Sequence, residues 1–381
     1  MAHKNISFRY LQEQINRHDF NNLLDRIMTG PRPRIFTYRN QFDFLLFAMI
    51  NREKSLRGAV CTFNAHQSKL YHLGFRKKVS LSTVSEANSN RSYAPYEELF
   101  QTLRYDIEKS RKKEIDSLPM HIIDSTTFTF TDQRIGWAKY NSKVKGLKIH
   151  LMLEEESSTP KQAQVTHGKY ADAKSMDQFN FNKGSLYVFD RAYLDSKRLI
   201  KLHNKGVFFI VRMKSNIIYQ TLSCKKIINV ENVLEEKQVQ FMGDQSQAYN
   251  ENLRMITILD PRKNESFDVI TNNKELTAKE ISEFYKRRWA IELFFRWLKQ
   301  VLGMIHFYGR SENAMKMQIW IALILCLLLW KLHKEPEWSE YSKLDFLRSL
   351  KALLFSIPPR NRSAKPPPDK IQKLLFPEFL L

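Results

Sequence analysis

The chain is 381 residues long, enough for two domains or one large domain with additions, and 43% hydrophobic content supports a substantial core. It carries 61 Lys and Arg against 40 Asp and Glu, a net charge of +21, the balance of a protein that binds a polyanion: nucleic acid first, an anionic membrane surface second. Residues 1–118 hold only 20 of those cations and 12 of the acids, which excludes a basic tail on a neutral enzyme.

Residues 7–28 carry apolar side chains at helical spacing until Gly30-Pro31-Arg32-Pro33 interrupts them. Helices are then expected over Phe42–Ile50 and Leu56–Phe63, from Ser82-Thr83-Val84-Ser85-Glu86 toward Asn90-Arg91, and over Tyr96–Lys109. Residues 1–112 therefore read as a small, basic, helical domain. Short helices with Ser, Thr, Asn and Arg near their N-termini can enter a major groove. A plain helical bundle would show the same pattern, and charge tips the balance toward DNA.

From Pro119 the character changes to strands. His121–Asp124 is a short apolar strand ending in a carboxylate, followed by strands at Lys145–Glu154 and Gln162–His167 and a short helix at Ala171–Phe179. Leu186–Asp190 is again an apolar strand ending in Asp; Ser196–Asn204 is helical and Val207–Arg212 a strand. Residues 214–274 form a strand-rich stretch with segments at Ile227–Val233, Gln238–Phe241, Arg254–Leu259 and Phe267–Thr271. Thr277-Ala278-Lys279-Glu280 has the form of a capping box, and no Gly or Pro follows until Gly303, which predicts one long helix through Tyr285–Lys299. Helices at Met315–His333 and Tyr341–Phe355 come next, then a basic, Pro-rich linker over 358–368 and a last segment, Ile371–Leu381. The longest apolar run, Ile319–Trp330, is twelve residues. A span needs about 20, so this is read as a buried core helix and no membrane partner is expected. The N-terminus shows no apolar signal region, and Cys61, Cys224 and Cys326 form no CxxC pair, which suits a reducing, cytoplasmic setting.

Tyr285, Arg288, Glu292 and Lys299 are spaced by three, four and seven residues. On a continuous helix they fall within roughly 60° of one another around the axis. One bland account pairs Glu292 with Arg288 or Arg296 on a solvated face. Asp124 and Asp190 change the balance: two strands end in carboxylates and a later helix offers a third. Three acids with no His or Cys cluster suit a hard cation, Mg²⁺ or Mn²⁺, and two such ions can serve both oxygens of an in-line displacement at a phosphodiester. Neither GxxxxGK[ST] nor GxSxG occurs, so nucleotide hydrolysis and serine esterase chemistry have no support.

The motifs HIIDSTTF, LYVFDRAYLD and Y-x2-R-x3-E-x6-K resemble those of the DDE transposases of bacterial insertion sequences, in the branch named for its Tyr-Arg-Glu-Lys signature, the insertion-sequence-4 family. The resemblance covers about residues 119–305, motifs in order. It implies an α/β, ribonuclease-H-like core of strand order 3-2-1-4-5 with the first three strands antiparallel. A β-rich insertion (214–274) would sit inside a catalytic domain of residues 113–310, between the helical domain 1–112 and a helical C-terminal part, 311–381. It implies catalytic and metal-holding roles for Asp124, Asp190 and Glu292 with two Mg²⁺ or Mn²⁺ ions, and phosphate contacts for Tyr285, Arg288 and Lys299. The activity implied is strand cleavage and transfer at the inverted repeats of its own element. Transposon ends and target would be the double-stranded DNA partners, in a homodimer when synapsed, beside the bacterial nucleoid. A catalytically silent DNA-binding repressor, or another nuclease of this fold, are the alternatives. Related enzymes often pass through a DNA hairpin, stacking a flipped base on a Trp in the β insertion. No Trp lies between Trp137 and Trp289 here, which leaves Phe241 or Tyr249 as stacking candidates and core packing as the plainer role for Phe241.

His150 and His167 are expected to be structural, and Asp172, Asp177 and Asp195 to cap helices or turns. Trp289 and Trp297 are expected in the core.

Overall fold

The computed structural model describes residues 7–28, 31–110, 118–130, 137–138, 144–228, 230–243, 248–334, 339 and 341–355. The Pro-rich linker and the last segment, Ile371–Leu381, lie outside these. The chain forms two compact units, Met1–Lys112 with Arg296–Leu380, and Lys113–Phe295.

The second unit is built on one sheet. Its strands are β1 (Met120–Phe130), β2 (Lys145–Glu154), β3 (Thr159–His167), β4 (Leu186–Phe189), β5 (Phe208–Arg212), β6 (Tyr219–Lys226), β7 (Val233–Phe241), β8 (Leu253–Asp260) and β9 (Glu265–Thr271). They lie in the order β3-β2-β1-β4-β5-β9-β8-β7-β6. β1, β2 and β3 pair antiparallel, and β4 and β5 run parallel to β1. This is the ribonuclease-H-like arrangement the motifs imply. The insertion does not stand apart from it: β9 pairs antiparallel with β5, so β6 to β9 prolong the same sheet.

β4, Leu-Tyr-Val-Phe, is buried at every position, as expected of a parallel central strand covered on both faces. Tyr187 and Phe189 join Phe209, Val211, Phe241, Tyr249 and Ile270 in one core. The helix Ser196–Asn204 is capped by Asp195, whose carboxylate accepts from the Arg198 amide, and it packs on β5. Gly206, at φ +68°, turns the chain from that helix into β5.

Two local expectations need correction. Ile227–Val233 is not a strand: it joins β6 to β7, with Ile228 exposed and Asn232 at φ 61°. A residue that tolerates the left-handed region closes the turn there, and apolar composition alone did not show it. The long helix is interrupted at Arg288, giving Ala278–Arg287 and Trp289–Gln300. At the junction, the amides of Arg288 and Ile291 each bond three residues back, a tighter turn than an α-helix makes.

The first unit is helical. Its helices include Arg17–Ile27, Tyr38–Ile50, Leu56–Ala65, Leu81–Asn90, Ala94–Ser110, Glu312–His333 and Lys343–Leu353. Glu312–His333 is long and apolar enough to cross a membrane by length and composition, but packing accounts for its character. It lies against Tyr38–Ile50, Leu81–Asn90 and Ala94–Ser110, with Trp320 buried beside Phe100. Glu312–His333, expected in a region of its own, thus packs with the N-terminal helices.

Candidate active site

Asp124 does not end its strand. β1 continues to Phe130 because its antiparallel partner β2 runs alongside to Lys145. What ends at Asp124 is the company of β4: the last parallel pair is Ile123 with Phe189, and Asp190 directly follows Phe189. Both aspartates therefore stand where two neighbouring parallel strands stop pairing. Burial pushes the Asp124 carboxyl up to about 6. The Ser125 amide, donating to Oδ1 at 2.7 Å, and Arg288 pull the other way, while Asp190 and Glu292 add to the rise. Among the described residues the Asp190 side chain caps nothing, although it holds the N-cap position of the turn Arg191–Tyr193.

The third acid arrives on a well-anchored element. Arg254 of β8 donates to the carbonyls of Asn273 and Leu276, at 3.0 and 2.6 Å, and to Glu236 of β7 at 2.6 Å. This ties the loop after β9 to the sheet. The expected capping box is present, with the Glu280 amide donating to Thr277 Oγ1 and the Thr277 amide to Glu280. Ala278–Arg287 then packs on β7 and β8. Tyr285 is buried against Phe267, ring centroids 5.5 Å apart, and burial pushes its hydroxyl up to about 12. Arg212, at the end of β5, lays its guanidinium 4.6 Å from the Phe267 ring centre.

Arg288 is the centre of the arrangement. Its Nη1 donates to Asp124 Oδ2 at 3.2 Å and its Nη2 to Glu292 Oε1 at 2.5 Å. One guanidinium thus links a strand acid to a helix acid. Burial opposes its charge, but Tyr285, Asp124 and Glu292 outweigh that and hold its proton more tightly than usual.

A second polar group, missed from the sequence, adjoins Asp124. Ser125 Oγ donates to Asp172 Oδ1 at 2.6 Å, and Lys148 Nζ donates to Asp172 at 3.2 Å and to the Tyr170 carbonyl at 3.0 Å. His150 faces Ser125 in register, shares a 3.0 Å hydrogen bond with Thr166, and is lowered to about 4 by burial. Asp172 is therefore no cap but the acceptor beneath Ser125. Lys148 and His150, two apart in β2, share a face, and that was the available signal. Asp195 caps as expected and also accepts from Arg198 Nη1, while Asp177 accepts from Arg198 Nε and Nη2.

Other expectations fall elsewhere. Lys299 lies beyond Arg296, in the stretch that belongs to the helical unit, and burial lowers its ammonium. Trp289 is exposed, not core. Phe241 and Tyr249 are fully buried, with their rings edge to face at 6.0 Å and Tyr249 also against Phe209. Neither presents a ring face on which a base could stack. Phe241 ends β7 pointing into the core that the insertion shares with β4 and β5, and Tyr249 closes over it.

The donor set fits a hard divalent cation in chemistry: carboxylate oxygens with no thiolate or imidazole among them. Among the described residues no three such side chains converge into a ready cage. The positive charge between Asp124 and Glu292 is Arg288.

Residues 119–329 match the family described as the transposase DDE domain, and residues 3–76 match a domain of unknown function. The chain is 28% identical over 342 residues to the probable transposase for insertion sequence element IS5377 of Geobacillus stearothermophilus, covering 88% of this chain and 87% of that protein. It is 22% identical over 284 residues to the transposase for insertion sequence element IS231B of Bacillus thuringiensis subsp. berliner, covering 58% and 59%. Among solved structures it is similar to piggyBac transposase in its synaptic complex with hairpin DNA, with TM-score 0.45 and 10% identity over 91% of this chain and 78% of that one.

Proposed function

This chain belongs to the transposase DDE domain family, and on that premise we propose that it cuts and joins DNA at the ends of its own insertion sequence. The observation that supports this is the placing of Asp124 and Asp190 where the paired strands β1 and β4 part, with Glu292 joined to Asp124 through one guanidinium. In the first step water attacks phosphorus and the P–O3′ bond breaks, leaving a 3′-hydroxyl and a 5′-phosphate. In the second, that 3′-hydroxyl attacks a target phosphodiester and displaces the target's 3′-oxygen. Asp124, Asp190 and Glu292 would hold Mg²⁺ or Mn²⁺, two ions in all. When bound, the ions would lower the pKa of the attacking oxygen and balance charge on the leaving one.

The chain's own residues supply the rest. Arg288 offsets one of the two carboxylate charges of Asp124 and Glu292 before DNA arrives, and its guanidinium is suited to an incoming phosphate. Tyr285 and Lys299 are proposed as further phosphate contacts; Tyr285, being buried, would need its hydroxyl uncovered. Two copies, each holding one end, would form the synapse beside the bacterial nucleoid. The test is cleavage of duplexes carrying the DNA that flanks the coding sequence, with Mg²⁺ titrated. Asp124→Asn, Asp190→Asn and Glu292→Gln should each abolish cutting and leave binding intact. A variant that cuts at the wild-type rate removes that residue from the site.

A further inference from the structure

Helix Leu81–Asn90 in the helical unit has two unlike faces. Val84, Ala87 and Asn88 are buried, and the helix packs on Leu56–Ala65 and Glu312–His333. Its inner face is also pinned by hydrogen bonds: Gln41 Nε2 donates to Asn88 Oδ1 at 2.8 Å, and Asn313 Nδ2 donates to the Asn88 carbonyl at 3.1 Å. Ser80 caps the start, accepting from the Thr83 amide at 3.1 Å. The outer face consists of Ser82, Thr83, Ser85, Glu86, Ser89 and Asn90, all exposed.

That outer face is unusual for a merely solvated one. Surface helices favour long charged side chains, which propagate the helix and pair at i,i+4. Ser, Thr and Asn are weaker helix formers than Ala, and no Lys or Arg lies on the face. Local preference thus conflicts with the fold, and tertiary packing holds the helix in place. Such conflicts mark sites kept for another purpose. The positive charge sits just upstream, where Arg76, Lys77 and Lys78 are all exposed. Their loop is fixed to the preceding helix by a two-way bond: Asn64 Nδ2 donates to the Val79 carbonyl at 2.8 Å, and the Val79 amide donates to Asn64 Oδ1 at 2.9 Å.

We propose that Leu81–Asn90 is the helix that reads base edges in the major groove of double-stranded DNA, with Arg76, Lys77 and Lys78 gripping the adjacent backbone. This rests on the transposase function proposed above, which needs an element that tells the transposon's own ends from other DNA. The dimensions agree: a helix with its side chains is about 10–12 Å across, and the major groove is about 12 Å wide. Short hydroxyl and amide side chains reach base edges without crossing a phosphate row. Glu86, an acid on a basic protein, accepts well from the cytosine amino group and repels backbone phosphate, so it favours groove over backbone.

The experiment uses the full chain and a pool of random 25-base-pair duplexes. Rounds of binding and amplification should enrich one motif, also found in the DNA flanking the coding sequence. Binding of the enriched duplex and of a scrambled duplex is then measured against salt. Ser82→Ala with Glu86→Ala should weaken the enriched duplex roughly 10- to 100-fold and leave the scrambled duplex and the salt slope unchanged. Lys77→Ala with Lys78→Ala should weaken both duplexes alike and lower the salt slope by about 2. All four positions are exposed, so an unchanged thermal melt is expected. If the Ser82/Glu86 variant enriches the same motif with wild-type affinity, or loses both duplexes equally, the helix is not the reader, even where Mg²⁺-dependent cutting persists. A wild-type chain that enriches no motif overturns the assignment too, and if it also fails to cut, the transposase function falls separately.

Discussion

The middle of the sheet and its β6 edge are joined by one hydrogen-bond ladder, yet they are built to opposite specifications. β4 is four residues buried on both faces, whereas β6 is exposed at nearly every position. In β6, the exposed Lys225 and Lys226 stand opposite the half-buried Glu236 and Glu235 across the ladder. In β1, beside the end of β4, Asp124 by contrast carries a carboxyl pushed up to about 6, because burial makes its charge costly. Charges at the edge are screened and worth little. Asp124, beside the end of β4, instead has its proton affinity set by burial first and by its charged neighbours second. The edge also shows a use for charge that needs no burial: lysines on an outer strand discourage a second sheet from pairing there.

The largest contrast should appear in activity. Glu292→Gln should cost at least three orders of magnitude in DNA cutting, while Lys225→Ala with Lys226→Ala should leave the rate within about two-fold, as expected of exposed pairs. Equal losses would mean that the edge, too, is part of the machinery. Next is stability. Phe189→Ala in β4 should lower the unfolding free energy by about 3–5 kcal/mol through lost burial and a cavity, measured by denaturant titration.

The pH dependence follows, with its sign fixed by Asp124. Its folded pKa lies above the ordinary carboxyl value, so the folded state holds this proton more tightly than the unfolded chain. Stability from this group is therefore greatest in acid and falls as pH rises from about 4 through about 6, by up to roughly 3 kcal/mol. Asp124→Asn should remove that slope. Relative to wild type it should be more stable at pH 7 than at pH 4.5, despite being inactive. Parallel stability curves for the two proteins would show that Asp124 titrates normally. The smallest effect is expected at the edge, where Leu222→Ala should change stability by no more than about 0.5 kcal/mol.

The parts legible in the sequence were those written in short windows. Alternation and apolar runs announced β2, β4 and β8, the Thr277–Glu280 box announced a helix start, and the motifs contained Asp124, Arg288 and Glu292, which the fold brings into contact. What stayed hidden depends on pairing across distance. Nothing local to Asp172 says that Ser125 and Lys148 will converge on it; β1, β2 and the turn after β3 must first be in register. The break at Arg288 leaves no Gly or Pro to mark it. Phe241 and Trp289 make the same point from opposite sides: a Phe beside polar residues is buried because Tyr249 closes over it, and a Trp followed by apolar residues is exposed.

The antiparallel return of β9 onto β5 carries a consequence for how such chains can diverge. The chain leaves the core after Arg212 and re-enters it at Val269, which is Arg212's own partner in the ladder. Departure and return are thus one rung apart, whatever is strung between them. The count of residues from Asp190 to Glu292 is free to drift, while their separation in space is not. Hairpins can be lengthened or shortened at the outer end, where Asn232 turns the chain, without disturbing the rung that fixes the exit toward Glu292. The exception is β8, whose Arg254 ties down the loop before the helix. Change in length should therefore collect between β6 and β7, and the strand bearing Arg254 should be the last part of the insertion to vary.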